Sequence, residues 1–497
     1  MPRFSRSLAV AALLVAALTA PAAHASSRLL TGIADDGVTQ RSPALGASVI
    51  PAWRADGIDV ARVAVLWSYV APTPKALAGP PGFHAEDPND PQYHWGDVDR
   101  TIGELVAAGI KPIITVTGPA PIWGSSVPSR RMPSYKPDPV KFAQFARAVA
   151  ERFAASVDEY VLWNEPNIAQ WLQPQSDCTS RGCTPQAPAL YRAIAAKAIP
   201  AIKAGDPGAQ VLFPALASGG KTPNKRNNDL KPLTFLRALG CVDATYRAER
   251  KSPFCRSGFK PINGDGIAYH PHSRTASPDK AQSDSDSAAF GDLARLFGAV
   301  DRIQKAGGFL NDGSKTRKFS FAFTEFGYQT NPPDPVLGVS LSNQSAYVQH
   351  ATYMAWKNPR VTMLIQYLWR DDAVGAGNFS GWQSGMFGFD GRPKPLAAAF
   401  PNPFWVDLPR GKRAATIWGQ VRPGDAAQVT VQARAADSST WKAVKTLATD
   451  ARGFFTITSL VRAKTSYRFR YQRPAIAGKP GTVTSSVWTV SPVTSRR

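Results

Sequence analysis

Between about residue 29 and residue 400, short apolar runs alternate with longer stretches in which apolar positions recur every three or four residues. The short runs are LLTGIADDG (29–37), GIDVARVAVLW (57–67), IKPIITVTG (110–118), EYVLWNEPN (159–167), AQVLFPALAS (209–218), DGIAYHPHS (265–273), KFSFAFTEFGY (318–328) and VTMLIQYLWRDD (361–372). Runs of this length read as buried strands, and the periodic stretches between them as amphipathic helices. In DPVKFAQFARAVAERFAA (138–155), Phe142, Phe145, Val149 and Phe153 fall on one face. Asp138 and Pro139 supply an N-cap and a first-turn proline.

Strands alternating with helices pair in parallel, and these runs are enough to close a (β/α)8 barrel over residues 29–400. The competing arrangement is an open doubly wound sheet. It normally carries a glycine-rich phosphate turn after its first strand, which LLTGIADDGV does not provide. After the proline-rich segment FPNPFWVDLP (400–409) the pattern changes to short alternating segments such as AQVTVQARA, GFFTITSL and SYRFRYQ. We expect a linker over 401–415. A small C-terminal antiparallel β-sandwich, immunoglobulin- or fibronectin-like, then occupies 416–497. The fold class is α/β, a barrel followed by a sandwich.

The N-terminus stands apart. Arg3 and Arg6 precede LAVAALLVAALTA, and AHA follows, as in a secretory signal peptide over 1–25 cleaved after Ala25. No other run approaches the roughly 20 apolar residues of a membrane span. The mature protein is therefore expected to be secreted. In an oxidising compartment the cysteines read as disulfides, with neighbour pairing of Cys178 with Cys183 and Cys241 with Cys255 the simplest arrangement. Zinc is the rival, but CxxC spacing is missing.

The formal charge is +22, and from residue 401 onward 16 Lys or Arg stand against 4 Asp. That excess suits an anionic polysaccharide or cell envelope contacted through the C-terminal domain, or serves solubility alone. No nucleic-acid motif accompanies it, so nucleic acid is not an expected partner. Trp418, Trp441 and Trp488 could form a sugar platform there, although core packing is the commoner fate of tryptophan.

In a barrel, chemistry sits at the C-terminal ends of the strands. The fourth run ends at Glu165 and the seventh at Glu325. Two carboxylates on rigid strands suit cleavage of a glycosidic bond, one donating a proton and the other meeting the developing oxocarbenium ion. A separation of about 5–5.5 Å makes the second a nucleophile and the outcome retention. No cofactor or metal is required.

WNEPN (163–167) and TEFGY (324–328) together resemble clan A of the glycoside hydrolases. YHWGDVDRTIGELVAAGIKPI (93–113) resembles the stretch between second and third strands in family 39, with family 5 a near neighbour. The likeness covers about 370 residues. It implies Glu165 as acid/base, Glu325 as nucleophile and Asn164 as the amide that reads a sugar hydroxyl. It also implies Arg62 as a support for the nucleophile, Trp369 as the aromatic floor under the cleaved sugar, and His270 as the sixth-strand histidine. His272 departs from the pattern, standing where many relatives carry a tyrosine. Trp67, Trp123 and Trp171 follow the second, third and fourth strands and are expected as sugar subsites, or else as pins for their loops. Asp371 and Asp372 are expected to cap a turn or line the rim.

The reading is a secreted retaining glycoside hydrolase. Its rivals are a catalytically silent polysaccharide-binding protein using the same cleft, and a transglycosylase using the same residues.

Overall fold

A computed structural model describes residues 28–492 except 250, 257, 375–380, 425–426 and 477–478. The expected leader, residues 1–25, lies outside the described residues. The apolar runs form β1 (Leu30–Ala34), β2 (Val60–Leu66), β3 (Lys111–Thr117), β4 (Glu159–Leu162), β5 (Gln210–Ala217), β6 (Gly266–His270), β7 (Phe321–Phe326) and β8 (Val361–Tyr367). They pair in parallel, in sequence order, and β8 closes on β1. The barrel expected from the hydrophobic pattern is present.

Its interior is filled by residues taken from the inward-facing positions, among them Val60, Ile113, Val161, Leu212, Ala268 and Ile365. Crowding there explains Gly32, where a Cβ would lie 2.6 Å from Cγ1 of Ile365. The helix Pro139–Phe153 starts where the sequence placed it. Asp138 accepts from the backbone N–H groups of Val140 and Lys141, and Phe142, Phe145, Val149 and Phe153 are buried against the strands. Asp35, just past β1, accepts from the backbone N–H groups of Trp369 and Arg370 beyond β8 at 2.9 and 3.1 Å, fastening the barrel seam at its upper end. Burial pushes its carboxyl up to about 6 despite those bonds.

The C-terminal region is all β. Strands β9 (Phe404–Asp407), β10 (Ala414–Gln420) and β13 (Phe454–Leu460) form one sheet. Strands β11 (Gln428–Ala435), β12 (Lys442–Ala448), β14 (Thr465–Ile476), β15 (Lys479–Thr484) and β16 (Trp488–Val490) form the other. Every pairing is antiparallel, and Val406, Ile417, Val431, Phe455 and Phe469 pack between the layers. Strand β9 falls within 401–415, so that span contributes to the sandwich as well as leading to it.

The sandwich is fixed to the barrel. Trp418, with no exposed surface, belongs to the barrel's hydrophobic core and lies 5.7 Å from Tyr353 and 5.8 Å from Trp356. Arg452 donates to Asp59 at 2.7 Å and to the carbonyl of Leu29 at 2.8 Å, reaching the bottom of β1 and β2. Two disulfides join Cys178 to Cys183 and Cys241 to Cys255, the first across a hairpin of Ser176–Thr179 and Gly182–Pro185. Among the described residues no helix is long and apolar enough to cross a membrane.

Candidate active site

The ends of β4 and β7 deliver the two glutamates into one cleft. Past β4 the chain leaves extended geometry, with Trp163 at φ 67° and Glu165 at φ 39°, conformations that L-residues hold only under constraint from their surroundings. The constraint is visible. Asn164 N–H donates to Oγ1 of Thr117 at 3.0 Å, and Glu165 N–H to the carbonyl of Ala215 at 3.0 Å. Asn167 locks the following turn onto β5 by donating from Nδ2 to Ala217 and Leu230 carbonyls and accepting from Ala217 N–H. Pro166 removes a donor that would otherwise need a partner, and its carbonyl accepts from Gln175.

A carboxylate oxygen of Glu165, one of Glu325 and a ring nitrogen of His272 lie within 4.8 Å of one another. His270, fully buried at the end of β6, spans both acids. Its Nδ1 lies 2.9 Å from Glu165 Oε1 and 3.6 Å from Glu325 Oε2, while Nε2 faces Oγ1 of Thr324 at 3.1 Å. His272 Nε2 is 3.7 Å from Glu325 Oε2.

Arg62, pointing up from β2, holds Glu325 at 2.5 Å through Nη2 and donates from Nη1 to Oδ1 of Asn164 at 3.2 Å. The second contact turns the amide so that Nδ2 of Asn164 is left to donate. Burial pushes the Glu325 carboxyl up, but Arg62, His270 and His272 together outweigh it and hold the group well below the usual carboxylate range. Glu325 is thus an anion fixed in a water-poor site. Tyr367 shares the cleft, its phenol pushed far above the ordinary range by burial and by the charge of Glu325. Glu165, His272 and Glu325 are spaced to grip a cation, but the guanidinium already seated on Glu325 opposes one.

Two recesses meet at Glu165. One, of about 230 Å³, contains Glu325, Arg62, Asn164, Tyr367 and Trp171, with Asp36, Arg41 and Asp372 around its rim. The other, of about 310 Å³, runs past His272 to Ser218, Lys221, Arg274 and Gln329. Gln170 and Trp382 line both.

The aromatic expectations divide. Trp171 is in the cleft. Trp67 and Trp123 are buried and sit edge to face 5.8 Å apart, Trp67 stacking on Phe145 and Trp123 donating to the carbonyl of Pro72. They pin the β2 and β3 loops onto the helix behind them. Trp369 is turned out of the cleft because Leu368, at φ 71°, breaks the alternation that puts Met363, Ile365 and Tyr367 inside the barrel. It packs between Trp53 and Phe387. Trp382 provides the aromatic wall, 42 % exposed and stacked on His272 at 5.7 Å. Asp371 pairs with buried Lys394 at 2.7 Å and accepts from Gly385 N–H, while Asp372 lines the rim and caps Trp382 N–H.

No sequence-family profile matches the chain, and no curated protein sequence matches it. Solved structures do. A family 39 glycoside hydrolase from the gut symbiont Bacteroides cellulosilyticus WH2 aligns over 90 % of this chain and 81 % of its own, at 14 % identity and a TM-score of 0.50. The chain shares its fold. A glucosidase from Croceicoccus marinus aligns over 88 % of this chain and 94 % of its own, at 11 % identity and a TM-score of 0.49.

Proposed function

We propose that this chain is a secreted retaining glycoside hydrolase that cleaves O-glycosidic bonds by double displacement. The observation that carries the reading is the convergence of Glu165 and Glu325 within 4.8 Å, with Arg62 on one and His270 touching both. Such proximity suits direct attack and leaves little room for the intervening water of an inverting site, where carboxyl groups stand about 6.5–9.5 Å apart.

Glu325, kept ionised, attacks the anomeric carbon, while Glu165 passes its proton to the departing oxygen. A glycosyl ester forms on Glu325 and the leaving group departs as an alcohol. Glu165, now a carboxylate, takes a proton from water as it attacks the same carbon, and both glutamates return to their first states. With Glu325 esterified its negative charge is gone, which favours the ionised form of Glu165 in the second step. Asn164 Nδ2 donates to a sugar hydroxyl, and Trp171 and Trp382 offer apolar faces to sugar C–H groups. A sugar acceptor in place of water gives transglycosylation with the same residues.

Secretion is supported by the leader-like N-terminus and the two disulfides. For the sandwich we propose contact with an anionic polymer, supported by Trp441 lying against Arg434 and Arg468 on its outer sheet. The test of the central reading is the anomeric configuration of the first-formed product, followed by NMR on glycosides from plant, fungal and bacterial-surface polysaccharides. Retention is expected. Inversion, or turnover that survives Glu325→Gln, contradicts it.

A further inference from the structure

The two recesses differ in which glutamate they contain, and that difference orients the substrate. This step rests on the double-displacement reading. The sugar attacked must sit over the nucleophile, so the recess that holds Glu325, Arg62 and Tyr367 takes the glycone. The glycosidic oxygen lies at Glu165, which lines both recesses. The recess that holds Glu165 without Glu325 therefore receives the leaving group.

The chemistry of the two walls is unlike. In the glycone recess Arg62 is occupied by Glu325, and Arg41, which acts on Asp36, is outnumbered by the carboxylates of Asp36 and Asp372, acceptors that suit sugar hydroxyls and disfavour an acidic sugar. The leaving-group recess is lined by Lys221 and Arg274, both exposed at the surface. Lys221 opens the loop GGKTPNKRNNDLK (219–231), which also carries Lys225 and Arg226. Among the described residues none of these four cations is paired with a carboxylate, unlike Lys231 at the loop's end, which is held by Asp284. Asp229 is the carboxylate that faces them besides Glu165, and it is engaged as the acceptor for Ala169 N–H. The loop itself is anchored: Lys221 N–H donates to the carbonyl of Asp229, and Leu230 N–H to that of Asn167 in the β4 turn. Lys221 is thereby carried on the same framework that positions Glu165, while Arg274 follows the end of β6.

We propose that the leaving-group side of the cleft recognises a carboxylate-bearing sugar, with Lys221 and Arg274 as its specificity-determining residues. The substrate is then an acidic polysaccharide in which a neutral sugar is linked to a uronic-acid neighbour on its reducing side. A guanidinium fork and a flexible ammonium are the side chains best suited to a carboxylate, and a charge-assisted contact of this kind is stronger than a neutral hydroxyl contact.

The test is a binding measurement on the full chain carrying Glu325→Gln, so that turnover does not intervene. Galactosyl-glucuronate, with the uronic acid at its reducing end, and lactose, its neutral counterpart, are titrated in parallel by calorimetry at low and high salt. Galactosyl-glucuronate is expected to bind at least about tenfold more tightly, with that preference shrinking as salt rises. Lys221→Met and Arg274→Gln, singly and together, are expected to bring the ratio toward one, whereas Lys315→Met, at an exposed position ahead of β7, leaves it in place. Circular dichroism checks that each variant is folded. Equal affinities, no binding of galactosyl-glucuronate, or a preference that survives the double cleft variant overturns the proposal. Release of aryl leaving groups by the unmodified chain is scored separately, which distinguishes a hydrolase with a neutral leaving-group side from a chain that is no hydrolase.

Discussion

Arg62 Nη2 lies 2.5 Å from Oε1 of Glu325, in a site where both side chains are more than nine-tenths buried. The pair joins the middle of β2 to the end of β7. It sets the electrostatics of everything around it, because the same guanidinium orients Asn164 and lies within the field of Tyr367.

Removing that guanidinium has two expected consequences. Arg62→Met lowers kcat by about 10²–10³ through loss of orientation and charge at the nucleophile. It also moves the acidic limb of the kcat/KM profile to higher pH. The sign follows from Glu325, whose carboxyl is held below its ordinary range and must be ionised to attack. Activity is lost as pH falls through its pKa, and that pKa rises when Arg62 goes. The stability contributed by the depressed carboxyl is present above the ordinary carboxylate range and lost on acidification, so the variant also unfolds with a weaker acid dependence. A pH–rate profile whose acidic limb stays in place contradicts the assignment.

Glu165→Gln separates the proton donor from the nucleophile. With a poor leaving group such as an alkyl alcohol, the variant is expected to lose about 10²–10⁴ in kcat/KM. With a 2,4-dinitrophenyl group, which departs without a proton, formation of the glycosyl ester is nearly unaffected. Equal losses on both substrates count against Glu165 as the acid.

How much of this was legible in the sequence depends on whether a signal was local. The strands of the barrel were, because each is an apolar run with parity fixed by its own residues. Glu165 and Glu325 were visible as single acids closing such runs. Trp369 misled because its assignment extended the β8 alternation by two residues, and the left-handed turn at Leu368 has no marker in the sequence. Tyr367, at the last inward position of β8, could have been found by counting in steps of two from Met363. Trp382 could not. It lies well past the end of its strand, in the glycine-rich stretch AVGAGNFSGWQSG, and reaches the cleft by stacking on His272, a contact between segments far apart in the chain. Trp67 and Trp123 sit on the expected loops, but their side chains turn inward because Phe142 and Phe145 offer Trp67 an apolar wall and Trp123 packs against Trp67 and Phe83.

His270→Phe tests the bridge between the acids. It removes the contact to Glu165 Oε1 while keeping a ring in the buried space at the end of β6. The expected result is a fall in kcat of about one to two orders of magnitude, smaller than that of Glu165→Gln on a poor leaving group. The acidic limb of the pH profile is expected to move to higher pH, since Glu325 loses a neighbour that helps hold its carboxyl down. A change confined to KM contradicts a positioning role.

Trp418→Ala tests the attachment of the sandwich. The side chain is wholly buried at the junction with the barrel, so its removal is expected to cost about 3–5 kcal/mol and to lower the melting temperature of barrel and sandwich together. Truncation after residue 400 exposes Tyr353, Trp356 and Asp59, and is expected to reduce activity on soluble and insoluble substrates alike. A truncated chain with full melting temperature and full activity shows instead that the sandwich is an independent appendage.

The double-displacement account stands on a covalent bond between sugar and Glu325. Incubating the protein with a 2-deoxy-2-fluoro glycosyl fluoride of the preferred sugar slows hydrolysis of that bond enough for peptide mass mapping. The account predicts a single glycosyl adduct on the peptide containing Thr324-Glu325-Phe326, absent in Glu325→Gln. Steady turnover of the parent glycoside with no adduct formed, or an adduct on another side chain, contradicts it.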